Sequence, residues 1–301
     1  MKHLLLALLI TVYGCAGTKT KKEKPQALSL PAQPKLAFTV TEGILHPESV
    51  IYDSEDRSII VTNLASGNPL EKKTISYLSK VGLDGKVQKS KWVTGLKAPK
   101  GMAILEDHLY VSDVDRVVKI DRKKGRILKT IPVKDAKFLN DLVADADGNL
   151  YLSDMFANVI YRIEDDKLSV WKSGPELNSP NGLYTDGKEH LICASWGSDI
   201  DSKTFIAKVP GTIVSYPFKD SKTATVENTS GHFDGIAADK RGHLWVSDWI
   251  SGDIYEVTKS GKATKRFNFS QGTADLTVVK DQGLLLIPQM NQNKVIAIQL
   301  D

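Results

Sequence analysis

Short runs in which apolar and polar residues alternate, each bounded by turn residues, recur along the chain from about residue 36. That period-2 pattern is the signature of half-buried β-strands. One unit shows it completely: runs over 142–144, 150–153, 159–163 and 168–171, the first two joined by the turn Asp147-Gly148-Asn149. Four short antiparallel strands in roughly forty residues is the make-up of a propeller blade, and no amphipathic helical period competes with it.

The unit repeats. His46-Pro47-Glu48-Ser49-Val50, Ala98-Pro99-Lys100-Gly101-Met102, Phe138-Leu139-Asn140-Asp141-Leu142, Ser179-Pro180-Asn181-Gly182-Leu183, His232-Phe233-Asp234-Gly235-Ile236 and Gly272-Thr273-Ala274-Asp275-Leu276 align with one another. Their third residues are spaced 52, 40, 41, 53 and 40 apart. A second marker follows each: Thr62, Asp113, Asp154, Ser195, Asp248 and Pro288. The sixth unit has only three strands, ending over 295–299, and a propeller must close its ring or expose an unpaired edge. The run Leu36–Val40 is the available donor. The expected fold is all-β, one six-bladed β-propeller over 36–301, closed by its own N-terminal strand.

Composition adds exclusions. With 301 residues, 41% hydrophobic, 25% charged and 2 cysteines, the chain can bury a core without a disulfide framework or a cysteine-rich zinc module. The formal charge is +4, but six lysines and a single acid fall within residues 1–35, so residues 36–301 carry a net charge of −1. A neutral folded part offers no nucleic-acid footprint. The first residues, Met1-Lys2-His3 followed by an apolar stretch, read as a signal peptide over 1–14, too short to span a bilayer. Val12-Tyr13-Gly14-Cys15 resembles the bacterial lipobox, which implies lipid attachment at Cys15; Tyr13 is larger than the small residue preferred there. The other reading is a plain secretory leader with an incidental cysteine. Residues 15–35 are polar and proline-bearing, the composition of a flexible tether. Ala16, not an aspartate, follows the cysteine, so the expected location is a membrane-anchored lipoprotein on the periplasmic face, the outer membrane favoured, or the cell surface. The expected partners are the membrane, through the lipid, and a small-molecule substrate, with the protein acting as a monomer.

Equivalent positions at the start of each innermost strand converge on a propeller's axis. Here they are Glu48, Lys100, Asn140, Asn181, Asp234 and Ala274. Four carry side-chain oxygens and none is imidazole or thiolate, a donor set suited to calcium rather than zinc. Asx residues before a strand also close turns without binding anything; against that, Lys100 and Ala274 in the same register show that the turn does not demand Asx. Asp113, Asp154 and Asp248 recur regularly and read as structural. The loops over 63–73 and 196–211 are long and lie on the axial-ring face, where Trp196, Trp249, Phe156 and Met155 form an apolar wall with His46, His232 and Arg116 as polar candidates. Cys193 reads as a small buried apolar residue.

Asn140-Asp141, Asn181-Gly182 and Asp234-Gly235, the last preceding the strand Leu244-Trp245-Val246-Ser247-Asp248-Trp249, resemble the senescence marker protein, gluconolactonase and luciferin-regenerating enzyme family. The resemblance covers essentially all of 40–300. It implies a six-bladed propeller with one divalent cation, Ca²⁺ or another, and in many members lactone hydrolysis. It implies metal ligands at Glu48, Asn181 and Asp234, a metal or substrate contact at Asn140, a substrate contact at Asp141 and proton transfer by Asp234. Lys100 departs from that pattern: it could pair with Glu48, reach an anionic substrate or turn to solvent. Two functions follow as expectations. One is a metal-dependent hydrolase of a small lactone or ester, with Asp141, Lys100, Trp196, Trp249, His232 and Arg116 contacting substrate. The other is a non-catalytic ligand-binding propeller lipoprotein.

Overall fold

The computed structural model describes residues 34–219, 224–225 and 229–300. The expected leader over 1–14, Cys15 with its expected lipid and the expected tether up to residue 33 lie outside the described residues.

Six four-stranded antiparallel sheets follow one another around an axis. Blade one comprises Pro47–Asp53, Ser58–Asn63, Ser76–Gly82 and Val87–Leu96. Blades two, three, four and five begin with the inner strands Pro99–Leu105, Leu139–Ala144, Pro180–Thr185 and Phe233–Ala238. Blade six contributes Thr277–Val279, Leu284–Gln289 and Lys294–Gln299, and its fourth strand is Leu36–Val40. The closing strand runs antiparallel, Val40 opposite Val295 and Leu36 opposite Ile298, so the last blade has its outer edge paired as expected.

Period-2 alternation explains why the sheets stack as blades. Along the second strand of blade one, Ile59 and Val61 pack into a cluster shared with blade six, which includes Val279, Leu286 and Val295. Ile60, between them, points the other way into a cluster with Met102, Leu109 and Val111 of blade two. Similar clusters join blades two to three, three to four, four to five and five to six. Each sheet is therefore apolar on both faces, and the core is a ring of layers rather than one central mass.

Two features bring the inner strands close enough to make a site. In blades one to five the ladder slips at the axial-ring position, between Pro47 and Val50, Pro99 and Met102, Leu139 and Leu142, Pro180 and Gly182, and Phe233 and Ile236. Such bulges take a residue out of the pairing and re-aim its side chain. Glycine then permits contact between neighbouring blades: a Cβ on Gly182 would stand 2.0 Å from the Asp234 carbonyl oxygen, and one on Gly101 2.3 Å from Asp141 Oδ1. Serines stitch the blades together. Ser153 Oγ accepts from the Asp141 N–H at 2.9 Å and donates to the Asn181 carbonyl at 2.7 Å, and Ser247 links Gly235 to Ala274 in the same way.

The adjacent aspartates are structural. Asp113 accepts from the backbone N–H of Lys97 and Ala98, Asp154 from Lys137 and Phe138, and Asp248 from His232, Ile250 and Ser251. Pairing corrects the marker in two blades by one residue. Asn63, not Thr62, stands opposite Pro47, and Gln289, not Pro288, opposite Thr273. Hairpins of unequal length between the inner strands obscured that shift in the spacing.

Candidate functional site

Glu48, Asn140, Asn181 and Asp234 meet at the axis, all at most 5% exposed. Asn140 Nδ2 donates to Asn181 Oδ1; Asn181 Nδ2 in turn donates to Asp234 Oδ1 at 2.9 Å and to the Phe233 carbonyl at 3.0 Å. Glu48 Oε2 is buried without a hydrogen-bond partner. An unsatisfied buried carboxylate oxygen is costly unless something outside the chain meets it. Ala274 completes the ring as a fully buried apolar residue.

A second pair of carboxylates lies one residue further along the inner strands. Asp141 accepts from the Leu142 and Leu183 N–H groups, each at 2.7 Å, tying blade three to blade four. Asp275 accepts from Ser49 Oγ at 2.5 Å, across the junction where the ring closes. Burial pushes the Asp234 carboxyl up to about 7 against the Asn181 hydrogen bond, with Asp141 adding to the rise. Burial likewise raises Asp141 to about 7 despite its two N–H donors. Glu48 is held well above the carboxylate range by burial and then by Asp234, while Lys100 pulls the other way. Asp275 is raised well above that range by burial and by Asp141. Four desolvated acids in mutual repulsion are an environment that a cation would relieve.

Glu48, Asn140 and Asp234 form the floor of a cavity of ≈ 250 Å³. Its walls are Phe138, Met155, Trp196, Phe205, Trp249 and Met290, and Gly67, Pro69 and Asn291 complete the lining. The long loops supply Gly67, Pro69 and Phe205, as their placement on the ring face implied; the second of them folds as a hairpin of Gly197–Ile200 and Ala207–Pro210. Trp196 and Trp249 are 6.0 Å apart between ring centroids. Phe156 stacks towards Phe205 at 6.4 Å and is 38% exposed, outside the lining.

Several polar candidates are placed elsewhere. Lys100 is fully buried and does not turn to solvent. Its Nζ donates to the Ala98 carbonyl at 3.3 Å and stands 4.9 Å from the Phe138 ring centroid. It neither lines the cavity nor forms an ion pair with Glu48, although burial lowers its pKa and the Glu48 charge opposes that shift. Arg116 ties blade two to blade one, its guanidinium on Asp113 Oδ2 at 2.8–2.9 Å and on the carbonyl of Gly95 in the strand Val87–Leu96. His232 Nε2 accepts from the Ala207 N–H at 3.0 Å, which occupies the nitrogen a proton shuttle would use. His46 packs against Gly67, its Nδ1 buried without a hydrogen-bond partner. Cys193 is buried, its thiol pushed up to about 12 by desolvation.

Phe138, Phe205 and Met290 were not anticipated. Met290 had a signal: it follows the corrected marker Gln289 as Met155 follows Asp154 and Trp196 follows Ser195. Phe205 had none, because its position depends on how a hairpin folds back. Two further groups bring three potential ligand atoms together, Asp186 with Glu189 and His190, and Asp239 with His243 and Glu256. The first is an exposed turn whose Asp186 caps the N–H groups of residues 188–190. The second is neutralised by Arg241 and Arg266.

Residues 46–279 match the family described as SMP-30/Gluconolactonase/LRE-like region. The chain is 25% identical over 170 residues to a pentonolactonase of Haloferax volcanii, an alignment covering 52% of each protein, so it spans about half the length of that curated relative. Among solved structures it resembles a gluconolactonase from Xanthomonas campestris, with TM-score 0.64, 15% identity and coverage of 91% of this chain and 99% of that one. It also resembles virginiamycin B lyase from Staphylococcus aureus, with TM-score 0.57, 14% identity and coverage of 88% and 98%. At these identities the two structures establish the propeller fold and nothing finer.

Proposed function

The chain belongs to the SMP-30/gluconolactonase/LRE-like family, and from that premise we propose that it hydrolyses a small lactone or similar ester in the cavity over the axis. The observation that carries this reading is the floor: Glu48 with an unpartnered buried Oε2 beside Asp234, whose carboxyl burial pushes up to about 7, beneath a largely apolar cavity. The oxygen donors fit a divalent cation, calcium by preference, and Glu48, Asn140, Asn181 and Asp234 would hold it. Bound there, it would supply Lewis-acid stabilisation of the charge that develops on a carbonyl oxygen.

The chain's own contribution is separate. Asp234 would take a proton from the attacking water and return it to the leaving alcohol; burial raises its metal-free carboxyl to about 7, and that raised affinity offsets part of the lowering a bound cation would cause. Asn181 fixes one Asp234 oxygen through its amide. Asp141 holds blades three and four in register beneath the floor, a supporting role in place of the expected substrate contact. Trp196, Trp249 and Phe138 exclude water from the ring of the bound substrate. We further propose that Cys15 is lipidated and tethers this activity to a membrane; radiolabelled lipid incorporation that survives Cys15→Ser would end that part of the reading.

The test is a panel of lactones and aryl esters assayed with calcium and with a chelator. Hydrolysis that vanishes with chelator and returns with calcium supports the proposal. No hydrolysis of any member by calcium-loaded protein would favour the alternative, a ligand-binding propeller.

A further inference from the structure

The residue after each marker is Leu64, Val114, Met155, Trp196, Trp249 or Met290. Repetition of the blade therefore sets an apolar collar directly above the polar floor. Leu64 and Val114 pack against Ala98 and Ala274, whereas the other four line the cavity.

What the collar lacks is as informative. Among the described residues, no lysine, arginine, histidine or hydroxyl side chain lines the cavity. Trp196 Nε1 is already spent on the Phe205 carbonyl at 2.9 Å. Lys100, the nearest cation to the floor by its electrostatic influence on Glu48, is fully buried behind Phe138. A polyhydroxylated ligand would strip water from several hydroxyls, for which the walls offer only the Trp249 indole N–H and the Asn291 amide oxygen. A carboxylated or phosphorylated one would bring its charge to Glu48 and Asp234 with no lining cation to offset it. Outside the mouth, Phe156, Leu70 and Ile206 are exposed apolar residues at 38%, 42% and 46%, on or stacked against the loops that supply Pro69 and Phe205.

We propose that the cavity takes a lactone or ester whose polar ring rests on the floor and whose remaining substituent is an alkyl or aryl chain held by Trp196, Trp249, Phe205 and Met290. The ring half of this statement rests on the hydrolase reading; the apolar half rests on the walls alone. At the ~30 Å³ that a water-sized group occupies in a liquid, 250 Å³ admits about eight such groups, enough for a lactone ring and a short chain. A longer chain leaves through the mouth over Phe156 and Leu70.

The test uses the whole protein with calcium and a series of lactones sharing one ring, unsubstituted through long-chain alkyl, beside polyhydroxylated and carboxylated members of the same ring size. The specificity constant kcat/KM should rise roughly fourfold per methylene, the factor for burying one CH₂, until the cavity is full. The polyhydroxylated and carboxylated members should fall below the unsubstituted lactone. Trp249→Ala should flatten the slope, mostly through KM; the wild-type slope decides the matter even if that variant fails to fold. In parallel, tryptophan fluorescence is titrated with cyclic ethers carrying the same chains, which cannot be hydrolysed. Chain-dependent quenching without turnover of any lactone would keep the apolar ligand class and overturn the hydrolase reading. A flat slope, or a preference for the polyhydroxylated lactones, would overturn the inference itself.

Discussion

The floor of the cavity is placed by the register of six inner strands, whereas its walls combine that register with two loops of unequal length. Floor residues are held by bulges, glycine contacts and blade-to-blade hydrogen bonds, so each has its position over-determined. Wall residues such as Phe205 depend on one hairpin, and Phe205 N donates to Asp201 O within its turn. The contrast separates the two tasks expected of an enzyme. Chemistry needs atoms fixed to fractions of an ångström, and that comes from the rigid layer; choice of ligand needs only shape and polarity, and can be carried by loops.

Removing the closing strand is the harshest way to break the comparison, because floor and walls should fail together. Deletion through Val40 leaves Val295 and Ile298 unpaired on one side, and the cooperative thermal transition should be lost, whereas deletion through residue 35 should leave it intact. Equal melting temperatures for the two truncations would contradict the closure.

Asp234→Asn addresses the floor alone. The amide retains roughly the same shape beside Asn181 but cannot accept a proton, so kcat should fall ~10²–10⁴-fold with little change in melting temperature. Retained kcat would remove Asp234 from proton transfer.

The raised carboxyls give a pH test with a definite sign. Asp234 and Asp141 keep protons in the folded state up to about 7, whereas an unfolded aspartate loses them near ~3.9. The folded state therefore binds more protons between those values, and the metal-free protein should lose stability as pH rises through that window, then level off. Calcium should reverse this, raising the melting temperature more at pH above 7 than below, since it displaces protons from the same oxygens. A metal-free melting temperature that climbs with pH across the window would show that the floor is not desolvated as described.

Lys100→Met is the mildest change. It replaces a buried ammonium, with one hydrogen bond to a backbone carbonyl, by an apolar chain of similar length. Stability should be unchanged or slightly higher. Calcium affinity, read by titration calorimetry, should rise by roughly an order of magnitude as the like charge disappears. Weaker calcium binding in the variant would mean that Lys100 organises Glu48 rather than opposing the cation.

Much of this was legible along the chain. The recurrence of Pro47-Glu48, Pro99-Lys100, Leu139-Asn140, Pro180-Asn181, Phe233-Asp234 and Thr273-Ala274 announced six units, the deficit in the last announced the closing strand, and the shared register announced which oxygens meet. These are properties of a repeat, in which one local rule fixes many positions. Lys100, Arg116 and His232 were not legible. Their side chains are long or have two polar ends, and each found a partner that the register does not specify: the Ala98 carbonyl, Asp113 and the Ala207 N–H.

The sequence by itself therefore determined the all-β blades, their number, the N-terminal closure and the identity of the axial oxygens, because alternation and repetition act over neighbouring residues. Only the tertiary structure decided that the bulges turn Glu48, Asn140, Asn181 and Asp234 out of their ladders, that Lys100 is enclosed behind Phe138, and that the walls are apolar. Those outcomes depend on which atoms of distant blades and loops come to share the same small volume, and on which hydrogen-bond partners are left there once water is gone.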